Sequence, residues 1–158
     1  MRYALLLILV VPVAGCLEHA EKPGGGKSGA ADAHPEKGPH GGAIAEWGEE
    51  QYHAEFTVDH AKKEAVIYIL DGSVKKTAPV TAESVTLTLS NVKPPIQVTL
   101  KPDPQEGDPK GQCSRFRGTH DALAKEMEFE GEIAATVGGT PFSGEFKERS
   151  ESGHKHEK

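Results

Sequence analysis

From His40 to about Lys147 the chain is a succession of short apolar segments with a period of two, cut by Gly, Pro and Asp. No other feature limits its folding so strongly, because side chains that alternate between two faces describe strands rather than helices. Tyr52, Ala54, Phe56 and Val58 alternate with Gln51, His53, Glu55 and Thr57, which predicts a strand with one buried and one polar face. Val66 to Leu70 is continuously apolar and reads as a central strand covered on both sides, ended by the Asp71-Gly72 turn. Val85, Leu87 and Leu89, and then Ile96, Val98 and Leu100, alternate with polar residues in the same way.

Pro94-Pro95 interrupts any continuous ladder, and Pro102 to Gly111 is polar enough to be an exposed loop. Gln112 to Arg117 is a further strand candidate. Thr119 and Asp121 suit the cap and first turn of a short helix over residues 119–125. Phe129 to Val137, the Gly138-Gly139 turn and a last strand carrying Phe142 and Phe146 predict a closing hairpin. Seven or eight such strands in about 110 residues predict an all-β domain, as one antiparallel β-sandwich (Ig-like or a small Greek key) or a small barrel.

Ahead of this region, Met1-Arg2 and the apolar stretch Tyr3 to Ala14 lead into Val13-Ala14-Gly15-Cys16. The stretch falls short of the roughly 20 apolar residues a membrane-crossing helix needs, so it reads as an export signal. The small residues before Cys16 resemble the bacterial lipoprotein cleavage pattern. The expected organisation is therefore a signal peptide (residues 1–15), a lipidated Cys16 with a flexible Gly/Pro-rich tether (16–39), a β-domain (40–148) and a polar tail (149–158). As a flexible coil the tether would reach about 25 Å. Leu17, where Asp would direct retention, points to the outer membrane over the inner, on its periplasmic face.

With 18 Lys and Arg against 24 Asp and Glu, the net charge of −6 argues against nucleic acid and against electrostatic adhesion to anionic lipid. Membrane contact is expected through the lipid on Cys16. The only other cysteine is Cys113, so no internal disulfide can form once Cys16 is acylated. Strand alternation would place Cys113 on the face of Arg115, opposite Phe116, and so expose the sulfur; a small apolar filler is the other role open to it.

The sharpest grouping of chemically capable residues is His40-Gly41-Gly42, then His53 and Glu55, then His60. His53 and Glu55, two apart on a strand, share a face. Imidazole and carboxylate together suit Zn²⁺, imidazole also suits Cu²⁺, and His40 or His60 could complete the set. A solvated sheet face would carry the same residues without a metal. The tail residues His154 and His156 permit weak metal capture or are simply part of a polar end. Glu128, Glu130 and Glu132 line one strand face and read as a solvated charge run.

None of the usual catalytic patterns occurs: no Gly-x-Ser-x-Gly, His-Glu-x-x-His or Cys-x-x-Cys. A thiol hydrolase built on Cys113 with His120 and Asp121 has suitable residue types, yet adjacent His and Asp side chains diverge rather than line up in series. The chain reads as non-enzymatic.

The stretches PHGGAIAEWGEEQYHAEFTVD, VIYILDGSVKK and CSRFRGTHDALAKEMEFEGEIAATVGGTPFSGEF are spread along the β-region from residue 39 to residue 146. Through His40-Gly41-Gly42, Tyr52-His53-x-Glu55, Leu70-Asp71-Gly72 and Ser114-Arg115-Phe116, they resemble a group of small exported bacterial proteins, many of them lipoproteins. The His-Gly-Gly opening is also similar to exported segments associated with heavy-metal efflux. That resemblance implies a link to metal; the competing expectation is a protein-interaction or structural β-domain that docks an envelope partner.

Overall fold

The computed structural model describes residue 35 and residues 37–149. The signal segment, Cys16, most of the tether, and the tail with His154 and His156 lie outside the described residues. Eight antiparallel strands form one sheet: β1 (Ala43–Trp47), β2 (Tyr52–Asp59), β3 (Glu64–Asp71), β4 (Val85–Leu89), β5 (Ile96–Pro102), β6 (Arg115–Thr119), β7 (Glu130–Val137) and β8 (Thr140–Lys147). Their spatial order is β1-β2-β3-β6-β5-β4-β7-β8. The all-β expectation holds, and so does the closing hairpin, whose turn residues Gly138 and Gly139 both have positive φ.

The sheet curls on itself so that its first and last strands meet, which makes it a nearly closed barrel with a single interior. Trp47, Phe56, Ile67, Leu87, Leu100, Phe116 and Ile133 come from seven different strands and are fully buried in one core. Each such side chain contributes roughly 1.5–3 kcal/mol by leaving water. Phe56 meets Phe129 edge-on at 6.2 Å and Phe146 at 4.7 Å. Trp47 Nε1 donates to the Ile133 carbonyl at 2.9 Å, tying β1 to β7.

Two local expectations change, one strand is added and the role of Cys113 is decided. Ala43–Trp47 is a strand of its own, although its five residues carry only a short alternation between the glycines at 42 and 48. The residues of β2 expected on a solvated face are instead covered: His53 is 1 % exposed and Glu55 0 %. The helix is a single 3-10 turn, Asp121–Ala124, capped by His120, whose Nδ1 accepts from Ala122 N; Thr119 ends β6. Cys113 is a buried apolar filler, one of the two roles open to it; it precedes β6 and pairs in an isolated bridge with Val80, so strand alternation does not govern it.

Candidate functional site

The covered face of β2 is where the sequence motifs converge. Cross-strand register places Ile44, Glu55, Tyr68 and Arg115 in one row across β1, β2, β3 and β6. With Ala54 and Phe56 in the core, Glu55 must point outward. A carboxylate there would ordinarily be hydrated. It is not, because the chain leading into β1 folds over it.

That segment is shaped by its glycines. Gly41 N donates to the Gly38 carbonyl and Gly38 N to the Gly42 carbonyl, both at 2.9 Å, closing a tight turn with Gly41 at φ +81°. A Cβ on Gly38 would sit 2.3 Å from the Glu55 carboxyl carbon, and one on Gly42 would sit 2.1 Å from the Phe56 carbonyl oxygen. Only glycine permits the turn to lie this close to β2.

Inside the turn, His40 N and Gly42 N donate to Glu55 Oε1 at 2.7 and 2.9 Å, and His40 Nδ1 meets Oε2 at 2.7 Å. The imidazole therefore carries its proton on Nδ1. The ring also stacks on Tyr68, with centroids 3.7 Å apart and planes within 7°. Charge-assisted bonds of this kind are about twice as strong as neutral ones, and three of them compensate a carboxylate removed from water. The result is a clasp: β2 supplies the anion, and residues 38–42 supply the donors and exclude solvent.

His53 lies two residues before Glu55 on the same face, with Nδ1 3.2 Å from the Asp71 carbonyl oxygen. Asp71 organises the loop covering this end of β3. Its Oδ1 accepts from Ser73 N and Oγ and from Lys75 N and Lys76 N, and these bonds, led by that of the Ser73 hydroxyl, hold its carboxyl below the usual range. Val74, at the crest of that loop, is buried.

Of the four residues proposed as metal ligands, the fold brings His40 and Glu55 into contact and keeps His53 nearby. His60 stands past the far end of β2, where Nδ1 lies 2.8 Å from the Leu123 carbonyl oxygen. Among the described residues no three His, Cys, Asp or Glu side chains are grouped to hold a metal. Glu55 spends both oxygens on His40 and Gly42, so binding an ion would first require opening the clasp. As arranged, Glu55 is committed to these donors and not open to Zn²⁺ or Cu²⁺.

The residues considered for thiol chemistry are engaged separately. Cys113 Sγ donates to the Arg115 carbonyl, and burial pushes its thiol up, away from the reactive thiolate. His120 caps the 3-10 turn, and Asp121 pairs with Lys63 Nζ at 2.8 Å.

Sequence inspection did not single out Asp108 or Asp103. Asp108 Oδ2 accepts from Gln105 N and Ser114 N, both at 2.9 Å, which explains the fully buried Ser114. Asp103 takes ion pairs from Arg115 and Arg117 on one oxygen, and Arg117 also pairs with Glu64. The aspartates in the loop after β5 were the available signal, since Asp commonly bonds backbone amides in turns. No family profile, characterised protein or solved structure matches this chain.

Proposed function

We propose that the protein is a lipid-anchored, non-enzymatic binding domain of the bacterial cell envelope, which docks another envelope component while its tether holds it clear of the membrane. The observation that carries this reading is the commitment of His40 and Glu55 to each other where the tether joins the barrel. The His-Gly-Gly and His-x-Glu motifs then serve attachment and folding, and metal handling needs no part in them. The leader ending at Cys16 supplies the anchor, and the acidic balance of the chain leaves lipid as the means of membrane attachment.

Two measurements test this. Cys16→Ser should move the protein from the membrane fraction to the soluble fraction; continued membrane association would defeat the anchored reading. Calorimetric titration of Zn²⁺ and Cu²⁺ into the mature chain should show no saturable one-to-one binding tighter than about 1 μM, roughly −8 kcal/mol. Binding of that strength, lost in His53→Ala, would make metal handling the function instead.

A further inference from the structure

The two ends of the sheet meet without a ladder. Among the described residues β1 pairs with β2 and, at Ala43, with Lys37, while β8 pairs only with β7. They touch where Gly144 passes the Glu46 carbonyl, so closely that a Cβ on Gly144 would lie 2.2 Å from that oxygen. Beyond this crossing a groove of about 1280 Å³ opens between the start of β1 and the end of β8. Half-buried Ile44 stands at its wall, Ala43 and Phe146 close its floor as buried core residues, and its charged lining sets Glu132 and Glu145 among Lys37, Lys147 and Arg149.

The charges are uneven. On β7 and β8, Glu130 stands opposite Lys147 and pairs with it. On the neighbouring outward rung Glu132 stands opposite Glu145. Both are exposed, and neither is in an ion pair among the described residues. Like charges directly opposed across a ladder destabilise it, and a cation set between them removes that cost. Beside them the outer edge of β8 offers main-chain donors and acceptors that a further strand can use.

We propose that this groove docks an extended cationic segment of a partner protein, which runs alongside the unpaired edge of β8 and sets a lysine or arginine between Glu132 and Glu145. The proposal rests on the binding-domain reading above and supplies its surface and the chemistry of its partner. A strand edge beside an acid pair favours an extended cationic segment over a free cation, and the same acid pair repels anionic lipid.

The test uses the mature chain with Cys16→Ser and a fluorescein-labelled Lys-Val-Lys-Val-Lys-Val peptide, with Glu-Val-Glu-Val-Glu-Val as control. Fluorescence anisotropy should show saturable binding of the lysine peptide only. That binding should weaken by about tenfold or more in the Glu132→Gln/Glu145→Gln double variant. Hydrogen exchange should slow at the amides of Glu145 to Lys147 when the peptide is bound. No binding, equal binding of both peptides, or full affinity in the double variant would overturn the proposal and leave the acidic pair as a guard against edge association. Binding that appears only when the chain is stopped at Arg149 would also overturn it, since the chain's own C-terminal residues would then be the occupant. The assay is made in solution, so its failure is separate from any failure of membrane anchoring.

Discussion

The outer faces of two parts of the same sheet begin from the same alternating pattern and end differently. Around β2 and β3, outward-pointing His53, Glu55 and Leu70 are buried, roofed by the turn at residues 38–42 and the loop from Asp71 to Thr77. Around β4, β7 and β8, outward-pointing Thr86, Thr88, Glu132, Ser143 and Glu145 are exposed or half-buried. Alternation decides which residues enter the barrel. Whether the remaining residues meet water is decided by loops elsewhere in the chain. A polar residue on the roofed face must be satisfied by protein, whereas one on the bare face is satisfied by solvent and stays available to a partner.

The largest expected effect lies under the roof. Glu55→Ala leaves His40 N, Gly42 N and the His40 ring without their acceptor and should cost about 2–5 kcal/mol, since each buried donor left unsatisfied costs about 1–3 kcal/mol. Urea unfolding measures it, and a loss under 1 kcal/mol would mean that the clasp is ornamental. His40→Ala should cost less, about 1–3 kcal/mol, because two backbone donors still serve the carboxylate. If the two residues act as one unit, the double variant should lose clearly less than the sum of the singles.

This asymmetry also separates what could be read in the sequence from what could not. The strands, the hairpin at Gly138-Gly139 and the core residues were legible because a period of two is local. His40, Gly41, Gly42, His53 and Glu55 were legible as a group with a shared purpose, yet that purpose was not. The burial of Glu55 depends on a turn 13 to 17 residues upstream crossing over β2, and no periodicity encodes the crossing. Gly38 is the local trace of it, since a carboxylate lies where its Cβ would be, but a glycine in a Gly-rich tether carries no distinguishing mark. Cys113 stayed open between exposure and a filler role for a related reason: its burial follows from a bridge to Val80, a residue in a loop with no strand signature.

An intermediate effect sets two carboxyls against each other through pH. Burial alone would raise Asp108, but the Ser114 and Gln105 amides outweigh it and hold its carboxyl below the usual range. Its contribution is therefore present above the unfolded value near 4 and is lost as pH falls through the lower folded value. Burial pushes Glu148 up, against the Phe129 amide that lowers it, so its contribution is present at low pH and lost as pH rises through the folded value. Asp108→Asn should cost about 1 kcal/mol at pH 7 and little at pH 2. Glu148→Gln should compare better with the parent chain at pH 7 than at pH 4. Thermal unfolding across that range decides both, and parallel curves for either variant and the parent would remove that group from the account.

The smallest expected effect belongs to the bare face, and its sign matters more than its size. Glu132 and Glu145 oppose each other with no roof and with water on their outer side. Replacing Glu132 with Gln removes a like-charge contact and disturbs no buried group, so stability should rise by a few tenths of a kcal/mol. Added salt screens the repulsion in the parent, so the gain should shrink as salt is raised to 1 M. A loss above 1 kcal/mol would show that this face, like that of β2, is tied to something that covers it, and the contrast between the two faces would fail. A small salt-sensitive gain would mean that the isolated domain carries a repulsion its own fold does not relieve. That is the condition under which a cationic partner gains affinity at no expense to the fold.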